Sequence, residues 1–163
     1  MPEPLIELRP AQPEDEAFIL RLYESTRAAE LALVPWEAAQ RELFVRLQSV
    51  AQRAHYQAEN PTAEQLLILF DGQPVGRLYV HRRAAEIRLL DFSLLPEYHS
   101  SAAAPQLIRK MMDEAAAANK AVTIPLQPGD ALQGLFEQLD FKPAAENGVH
   151  VLYEWRAGVC NQQ

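Results

Sequence analysis

The sequence predicts one domain of the α/β (α+β) class, in which about four helices flank a mixed, mostly antiparallel central sheet of six to seven strands. Two observations predict this class. Short segments of alternating polarity are interleaved along the chain with segments whose apolar residues recur every three to four positions. Tight turns join antiparallel strands and a helical crossover joins parallel ones, so the sheet should be mixed. The 163 residues, 48% of them hydrophobic, suffice for one packed core.

The first part of the chain predicts one strand and two helices. Residues 5–11 (LIELRPA) alternate in polarity and indicate a strand. Pro13 and the acids after it suit the first turn of a helix that LVPW then interrupts. A second helix should end near Asn60, because the residue before a proline leaves the helical region. Three-to-four spacing predicts that its core-facing stripe consists of Trp36, Ala39, Leu43, Leu47, Val50 and Ala54.

The middle of the chain predicts three strands. EQLLILF and VGRLYVHRR flank the Asp71-Gly72 turn of a hairpin, and AEIRLLDFSLL follows. The alternation of this last strand slips, since Ile87 and Leu89 share one face whereas Leu90, Phe92 and Leu94 share the other. One extra residue in a β-bulge explains the slip, and burial of the strand on both faces explains it equally well.

After a short loop, the chain continues with a helix, the strand AVTIPL, the helix DALQGLFEQLDF and the strand GVHVLYEW. The apolar face of the first of these helices comprises Leu107, Ile108, Met111, Met112 and Ala115. The predicted order is therefore β-α-α-β-β-β-α-β-α-β. It places the domain at residues 1–156 and a C-terminal tail at residues 157–163.

Composition argues against several function classes. The net charge of −7 does not fit the basic footprint of a nucleic-acid-binding protein or a polybasic membrane patch. No apolar run approaches the roughly 20 residues of a membrane span, and MPEPLIELRP does not resemble a signal peptide, so we expect a cytoplasmic protein. Cys160 is the single cysteine, and the four histidines lack the spacing of metal ligands, so no metal is expected.

Three segments, taken together and in this order, resemble the GNAT superfamily of acetyl-CoA-dependent N-acyltransferases. IELRPAQPEDEAFILRLYESTR resembles its first strand and helix, FDGQPVGRLYVHRRAAEIRLLDFSLLPEYH its central strands, and LFEQLDF its LYERLGF helix. The resemblance implies that the fourth and fifth strands splay apart around the acetyl-pantetheine arm and that the next loop holds the pyrophosphate. It also implies that the arm pairs with backbone groups of Phe92, Ser93 and Leu94.

The loop departs from the family pattern Q/R-x-x-G-x-G/A. The six matching residues are His99, Ser100, Ser101, Ala102, Ala103 and Ala104. Their backbone N–H groups and the helix start could still bind a phosphate. However, His99 replaces Gln or Arg, and Ala102 replaces the first glycine; a positive φ at Ala102 would cost about 1–2 kcal/mol. The alternative is a plain helix start that Ser100 or Ser101 caps.

Two further positions that border acetyl-CoA by resemblance also depart from the family. Phe136 stands where many members have a tyrosine, whose hydroxyl is thought to protonate the leaving thiolate. Such general-acid help is typically worth about 10²–10⁴-fold in rate. Asp130 stands where the family often has an asparagine that touches the cofactor, and Asp140 replaces the glycine of LYERLGF.

The resemblance implies direct attack of an amine, on a small molecule or a peptide, on the thioester of acetyl-CoA. The Leu94 N–H would polarise the thioester carbonyl, and Asp91 or ordered water would take the proton of the amine. Asp91 has the alternative role of a polar residue that bonds nearby backbone at the irregular strand. By resemblance, a homodimer is also expected. The alternative function is a catalytically silent binding or structural module of the same fold that has lost acetyl-CoA binding.

Overall fold

The computed structural model describes residues 5–157, and these residues form one seven-stranded sheet with five helices. The strands are β1 (Ile6–Pro10), β2 (Glu64–Phe70), β3 (Gln73–Arg82), β4 (Glu86–Leu94), β5 (Ala121–Leu126), β6 (Lys142–Glu146) and β7 (Val151–Arg156). The helices are α1 (Glu16–Thr26), α2 (Ala28–Leu31), α3 (Ala38–Glu59), α4 (Ala103–Ala117) and α5 (Gln133–Gln138). The strand order is β1-β2-β3-β4-β5-β7-β6, and only the β4–β5 pair is parallel. The predicted mixed, mostly antiparallel class is therefore confirmed.

The element order differs from the predicted one in two places. Strand β6 precedes β7 and was not predicted, because KPAAE is exposed throughout and shows no alternation. It lies at the sheet edge, where a proline is tolerated. The predicted first helix divides into a 3-10 turn (Pro13–Asp15), α1 and α2. The hydroxyls of Ser25 and Thr26 donate to the carbonyls of Leu22 and Tyr23, and such local bonds favour helix ends. No helix within residues 5–157 is long and apolar enough to cross a membrane.

Strand β4 contains the predicted bulge. The β3–β4 ladder pairs Tyr79 with Asp91 and Val80 with Leu89, so Leu90 is the extra residue. The bulge brings Ile87 and Leu89 to the same face of the sheet as Phe92 and Leu94, whereas Leu90 is only partly buried. The residues that β4 buries on this face are Ile87, Leu89, Phe92 and Leu94. The alternative of a strand buried on both faces is therefore wrong.

Strands β4 and β5 separate after three paired residues. Glu86–Arg88 pair with residues 121–123, and no ladder joins the rest of β4 to the rest of β5. Beyond this point each strand pairs only on its other side, β4 with β3 and β5 with β7. The splay that the resemblance implied is thus present, with its apex at the pair of Arg88 and Thr123.

The predicted core-facing stripe of the second helix is wrong. Leu43, Leu47 and Val50 are 56%, 58% and 48% exposed, whereas Val45 and Ser49 face inward. The helix begins at residue 38, so Trp36 precedes it and is also exposed. Apolar packing of Val45 with Tyr23 and Leu31 fixes one part of α3. Further along the helix, Gln52 contacts the sheet, Arg53 pairs with α1, and the ring of Tyr56 packs against that of Tyr79.

The effect of a substitution in α3 on stability should therefore depend on whether the side chain is observed to be buried, and not on whether it belongs to the predicted apolar stripe. Leu47→Ala is expected to change the free energy of unfolding by less than about 0.5 kcal/mol, since the side chain is already exposed. Val45→Ala removes two buried methyl groups and is expected to cost about 2 kcal/mol. Urea unfolding of both variants measures the difference. A larger loss for Leu47→Ala would show that this face is covered in solution.

An ion pair between β1 and the start of α1 makes stability depend on pH. Arg9 donates to both carboxylate oxygens of Asp15, at 2.8 and 2.9 Å. The hydrogen bond from Arg9 holds the pKa of Asp15 below its usual value. Such a carboxylate contributes stability above its unfolded pKa of about 3.9, and this stability is lost as the pH falls through the folded pKa.

The free energy of unfolding should consequently fall more steeply with acid in the wild type than in Asp15→Asn. Urea unfolding between about pH 5 and pH 2 measures both slopes. At neutral pH the variant should be the less stable of the two, because it has lost the charge-assisted bonds from Arg9. Parallel pH profiles would contradict the assignment of the pKa shift to Asp15.

Candidate functional site

The gap between β4 and β5 exposes backbone groups of β4. The Leu95 N–H donates to the Val75 carbonyl of the β3 segment at 2.9 Å. Because backbone groups alternate in an antiparallel ladder, those of Ser93 also face β3, whereas those of Phe92 and Leu94 face the gap. Two of the three residues predicted to pair with a pantetheine arm therefore offer backbone donors and acceptors to the gap, and Ser93 does not.

The His99 side chain turns back onto β4. Its Nε2 lies 2.9 Å from the carbonyl oxygen of Leu94. Since a carbonyl oxygen only accepts, we assign the proton of this bond to Nε2. His99 therefore occupies one of the acceptors that face the gap, and a ligand that pairs with Leu94 would have to share or displace this bond.

The six-residue loop retains half of its backbone donors for a ligand. Three N–H groups are already bonded, at 3.1 to 3.2 Å: those of His99 and Ser101 donate to carbonyls of the preceding turn, and that of Ala103 donates to the Ser101 hydroxyl. Three have no partner among the described residues and belong to Ser100, Ala102 and Ala104. These three lie where α4 begins, so they add to the positive end of the helix dipole.

Ala102 adopts an unstrained conformation. Its φ of −71° and ψ of −9° lie in the right-handed helical region, directly before α4. The cost that a positive φ would impose on alanine therefore does not arise. Ala102 is itself the N-cap residue, so the prediction that Ser100 or Ser101 caps the helix is wrong. The Ser101 hydroxyl nevertheless accepts from the Ala103 N–H and donates to the Tyr98 carbonyl at 2.8 Å.

Restoring glycine at position 102 should consequently not restore affinity. By the resemblance, acetyl-CoA is the ligand expected at this loop. Ala102→Gly is expected to change its affinity less than twofold and to cost about 0.5–1 kcal/mol in stability, because glycine loses more backbone entropy. His99→Arg adds a fixed charge and removes the bond to Leu94, so it should tighten binding. Calorimetric titration of both single variants tests this. Tightening by Ala102→Gly alone would contradict it.

Asp91 lies on the other face of β4, in a polar network. Its Oδ2 accepts from Arg77 Nε at 3.1 Å, from Arg77 Nη2 at 2.6 Å and from Ser93 Oγ at 3.0 Å. Arg77 also donates to Gln52 of α3 and to Gln65 of β2, and its side chain is only 4% exposed. Asp91 Oδ1 has no partner among the described residues. The carboxylate is thus fixed through one oxygen, and the other can accept a proton.

Tyr56 of α3 borders this network. Its ring centroid lies 5.1 Å from that of Tyr79, in edge-to-face geometry. Burial raises the pKa of Tyr56, and the negative charge of Asp91 raises it further. The hydroxyl therefore stays protonated at neutral pH and can donate but not act as a base.

The remaining predicted residues lie around α5. Phe136 is fully buried, and its ring packs against those of Phe92 and Phe141, at 6.1 and 5.0 Å. Asp130 Oδ1 accepts from the Leu132 N–H at 2.8 Å and shapes the turn before α5. Asp140 has a φ of 72°, the left-handed conformation that favours glycine after a helix, which is the residue that the resembling motif has there.

A cleft of about 220 Å³ lies beside the apex of the splay. Arg88, the last β4 residue paired with β5, forms one wall, and Pro125 and Leu152 lie on the sheet beside it. Sequence reasoning missed Arg77 and Arg88. The available signal was an arginine inside an otherwise apolar strand, since a buried arginine needs a partner. Within residues 5–157, no three His, Cys, Asp or Glu side chains lie close enough together to hold a metal ion.

The sequence matches no protein-family model and no curated protein, but many solved structures are similar to it. A PaiA N-acetyltransferase from Thermoplasma acidophilum in complex with coenzyme A is 17% identical, with a TM-score of 0.62, over 93% of this chain and 99% of that one. An acetyltransferase from Thermus thermophilus is 15% identical, with a TM-score of 0.65, over 93% and 96%. A GNAT-family acetyltransferase from Staphylococcus aureus is 10% identical, with a TM-score of 0.62, over 93% and 99%. At these identities the similarity shows a shared fold.

Proposed function

We propose that this chain, which has the fold of the GNAT acetyltransferases, transfers an acetyl group from acetyl-CoA to an amine. One observation carries the proposal. The β4–β5 splay presents the backbone of Phe92 and Leu94 to an open gap, and three unpaired N–H groups lie at the mouth of that gap. A ligand with an extended amide-bearing arm and a pyrophosphate matches this arrangement.

Acetyl-CoA supplies the activated acetyl group. The N–H groups of Ser100, Ala102 and Ala104, with the positive end of α4, suit the pyrophosphate. Backbone groups of Phe92 and Leu94 would orient the arm, and the Leu94 N–H would stabilise the negative charge that develops on the carbonyl oxygen.

The chemistry on the acceptor side needs a neutral amine. A C–N bond forms as the C–S bond breaks, and the amine gives up one proton, which Asp91 Oδ1 would accept directly or through water. Phe136 has no proton to donate, so water protonates the leaving thiolate. A small-molecule or peptide amine as acceptor, a homodimer and a cytoplasmic location remain predictions.

Calorimetric titration with acetyl-CoA and with CoA tests the proposal. We expect micromolar binding. Ala102→Asp, which places a carboxylate beside the three free N–H groups, should weaken it at least tenfold. Ala116→Asp makes the same charge change near the other end of α4, also at an exposed position, and serves as the matched control. Absence of heat and of a thermal shift up to millimolar ligand would overturn the proposal and favour the silent module.

A further inference from the structure

We propose that the cleft beside Arg88 binds the acceptor, and that the acceptor is an amine that also carries a carboxylate. This inference rests on the proposed acetyl transfer and names the substrate class of the same site.

The cleft lies beside the apex of the splay, because Arg88 of the apex pair belongs to its lining. Arg88 pairs with Thr123, the last β5 residue joined to β4, and Pro125 lies two residues beyond that pair. A pantetheine arm that enters from the loop before α4 would fill the gap from its mouth, so an amine must reach the thioester through another opening. Arg88 and Asp91 lie on the same face of β4, and their partners His81 and Tyr79 are two residues apart on β3. The two positions are therefore about 7 Å apart along the strand. The cleft therefore opens on the face that holds the predicted base.

Glu86 and Thr123 fix the side chain of Arg88 and leave some of its N–H groups free to donate. Its Nε lies 2.8 Å from Glu86 Oε1 and 2.7 Å from Thr123 Oγ1, and its Nη2 lies 2.8 Å from Glu86 Oε1. Within residues 5–157, Nη1 has no hydrogen-bond partner. The side chain is 21% exposed, so its position is largely fixed before any ligand binds. A preorganised guanidinium with free N–H groups is suited to a carboxylate.

The local charge supports an anionic ligand. Burial opposes ionisation of Glu86, but the hydrogen bond from Thr123 and the charge of Arg88 outweigh it and lower the pKa of this carboxyl group. Glu86 is therefore ionised at neutral pH, and Arg83 also approaches it, at 3.6 Å. The carboxylate of Glu86 is thus shared by two guanidinium groups and does not neutralise Arg88 alone. Among the residues that line the cleft, Arg88 carries the positive charge and Glu146 is the acid.

The β6–β7 turn supplies the opposite wall. Asn147 Oδ1 accepts the N–H groups of Val149 and His150, at 3.0 and 2.7 Å, so its Nδ2 remains available as a donor. His150 and Glu146 also line the cleft. Donors on two sides suit a carboxylate, and the single acid suits an ammonium group before it loses its proton. A small molecule that carries both charges matches this set.

Two measurements on the full chain test the inference. The first is acetyl-CoA turnover, followed by release of the CoA thiol, with a panel of amino acids, each paired with its carboxamide. The second is saturation-transfer NMR of the same panel, with and without CoA, which needs no catalysis. Both are made on wild type, Arg88→Gln and Arg88→Lys. Arg156→Gln is the control, since it removes an exposed arginine of the same sheet that pairs with Glu154.

We expect at least one amino acid to exceed its carboxamide tenfold or more in kcat/KM. Arg88→Gln should lower that value by about ten- to a hundredfold and remove the preference, because a charge-assisted bond is lost. Arg88→Lys should be intermediate, and Arg156→Gln should match wild type. Equal use of carboxamides, or a preference that survives Arg88→Gln, would overturn this inference and leave the transferase proposal intact.

Failure of acetyl-CoA binding would overturn the proposed function, and the NMR measurement would still decide about the cleft. Saturation transfer to the amino acids but not to their carboxamides, lost in Arg88→Gln and kept in Arg156→Gln, would support a carboxylate site. Absence of any difference between the paired ligands in wild type would overturn it.

Discussion

Gly76→Ala is expected to destabilise the protein by about 3 kcal/mol, in line with the upper range for overpacked interiors. A Cβ at position 76 would lie 2.3 Å from the Ser93 carbonyl oxygen and 2.7 Å from Leu94 Cδ2. The oxygen belongs to the backbone of β4, directly across the β3–β4 ladder, so it can yield only if the strand moves. The same shift would displace the backbone of Leu94, so acetyl-CoA affinity should fall together with stability.

Gly134→Ala is the matched control. Gly134 lies within α5, and a Cβ there would meet no atom within 4 Å. Because alanine is the better helix former, this variant should gain about 0.5–1 kcal/mol. Urea unfolding of both variants gives the comparison. Equal stability of Gly76→Ala and wild type would contradict the close approach of β3 and β4.

The features of β4 could be predicted from the sequence because they are local. An alternation that slips by one residue has few explanations, and the bulge at Leu90 is one of them. The left-handed conformation of Asp140 is similarly local, since it follows directly from the end of α5. The splay, in contrast, was expected from the resemblance alone, because no periodicity distinguishes the paired part of β4 from the unpaired part.

The orientation of α3 could not be predicted, since periodicity locates an apolar stripe without showing what covers it. Its exposed leucines have the same three-to-four spacing that a buried stripe would have. The observed orientation instead brings α3 into contact with distant partners, such as Val45 with Tyr23, Arg53 with Glu16 and Gln52 with Arg77. Arg88 and Thr123 are likewise 35 residues apart. Side chains that are far apart in the chain and meet across the sheet have no characteristic sequence separation, so such contacts cannot be recognised from the sequence.

Arg77→Met is expected to cost about 3–5 kcal/mol of stability, the usual range for breaking a buried ion pair by removing one partner. The Arg77 side chain is 4% exposed, and Asp91, at 21%, would keep only the hydroxyl of Ser93 as a partner. Asp91→Asn should cost less, because it retains the shape of the side chain and leaves a guanidinium that still bonds to Gln52 and Gln65.

The double variant Arg77→Met/Asp91→Leu separates folding from chemistry. Replacement of a whole buried pair by apolar side chains is often neutral, so most of the loss caused by Arg77→Met should be recovered. A double-mutant cycle measured by urea unfolding gives the coupling between the two residues. If Asp91 accepts the proton of the amine, the recovered variant should fold yet lose acetyl transfer by about 10²–10⁴-fold, as should Asp91→Asn. A stable double variant that kept full activity would show that the pair serves the fold alone, and the proton would then have to leave through water.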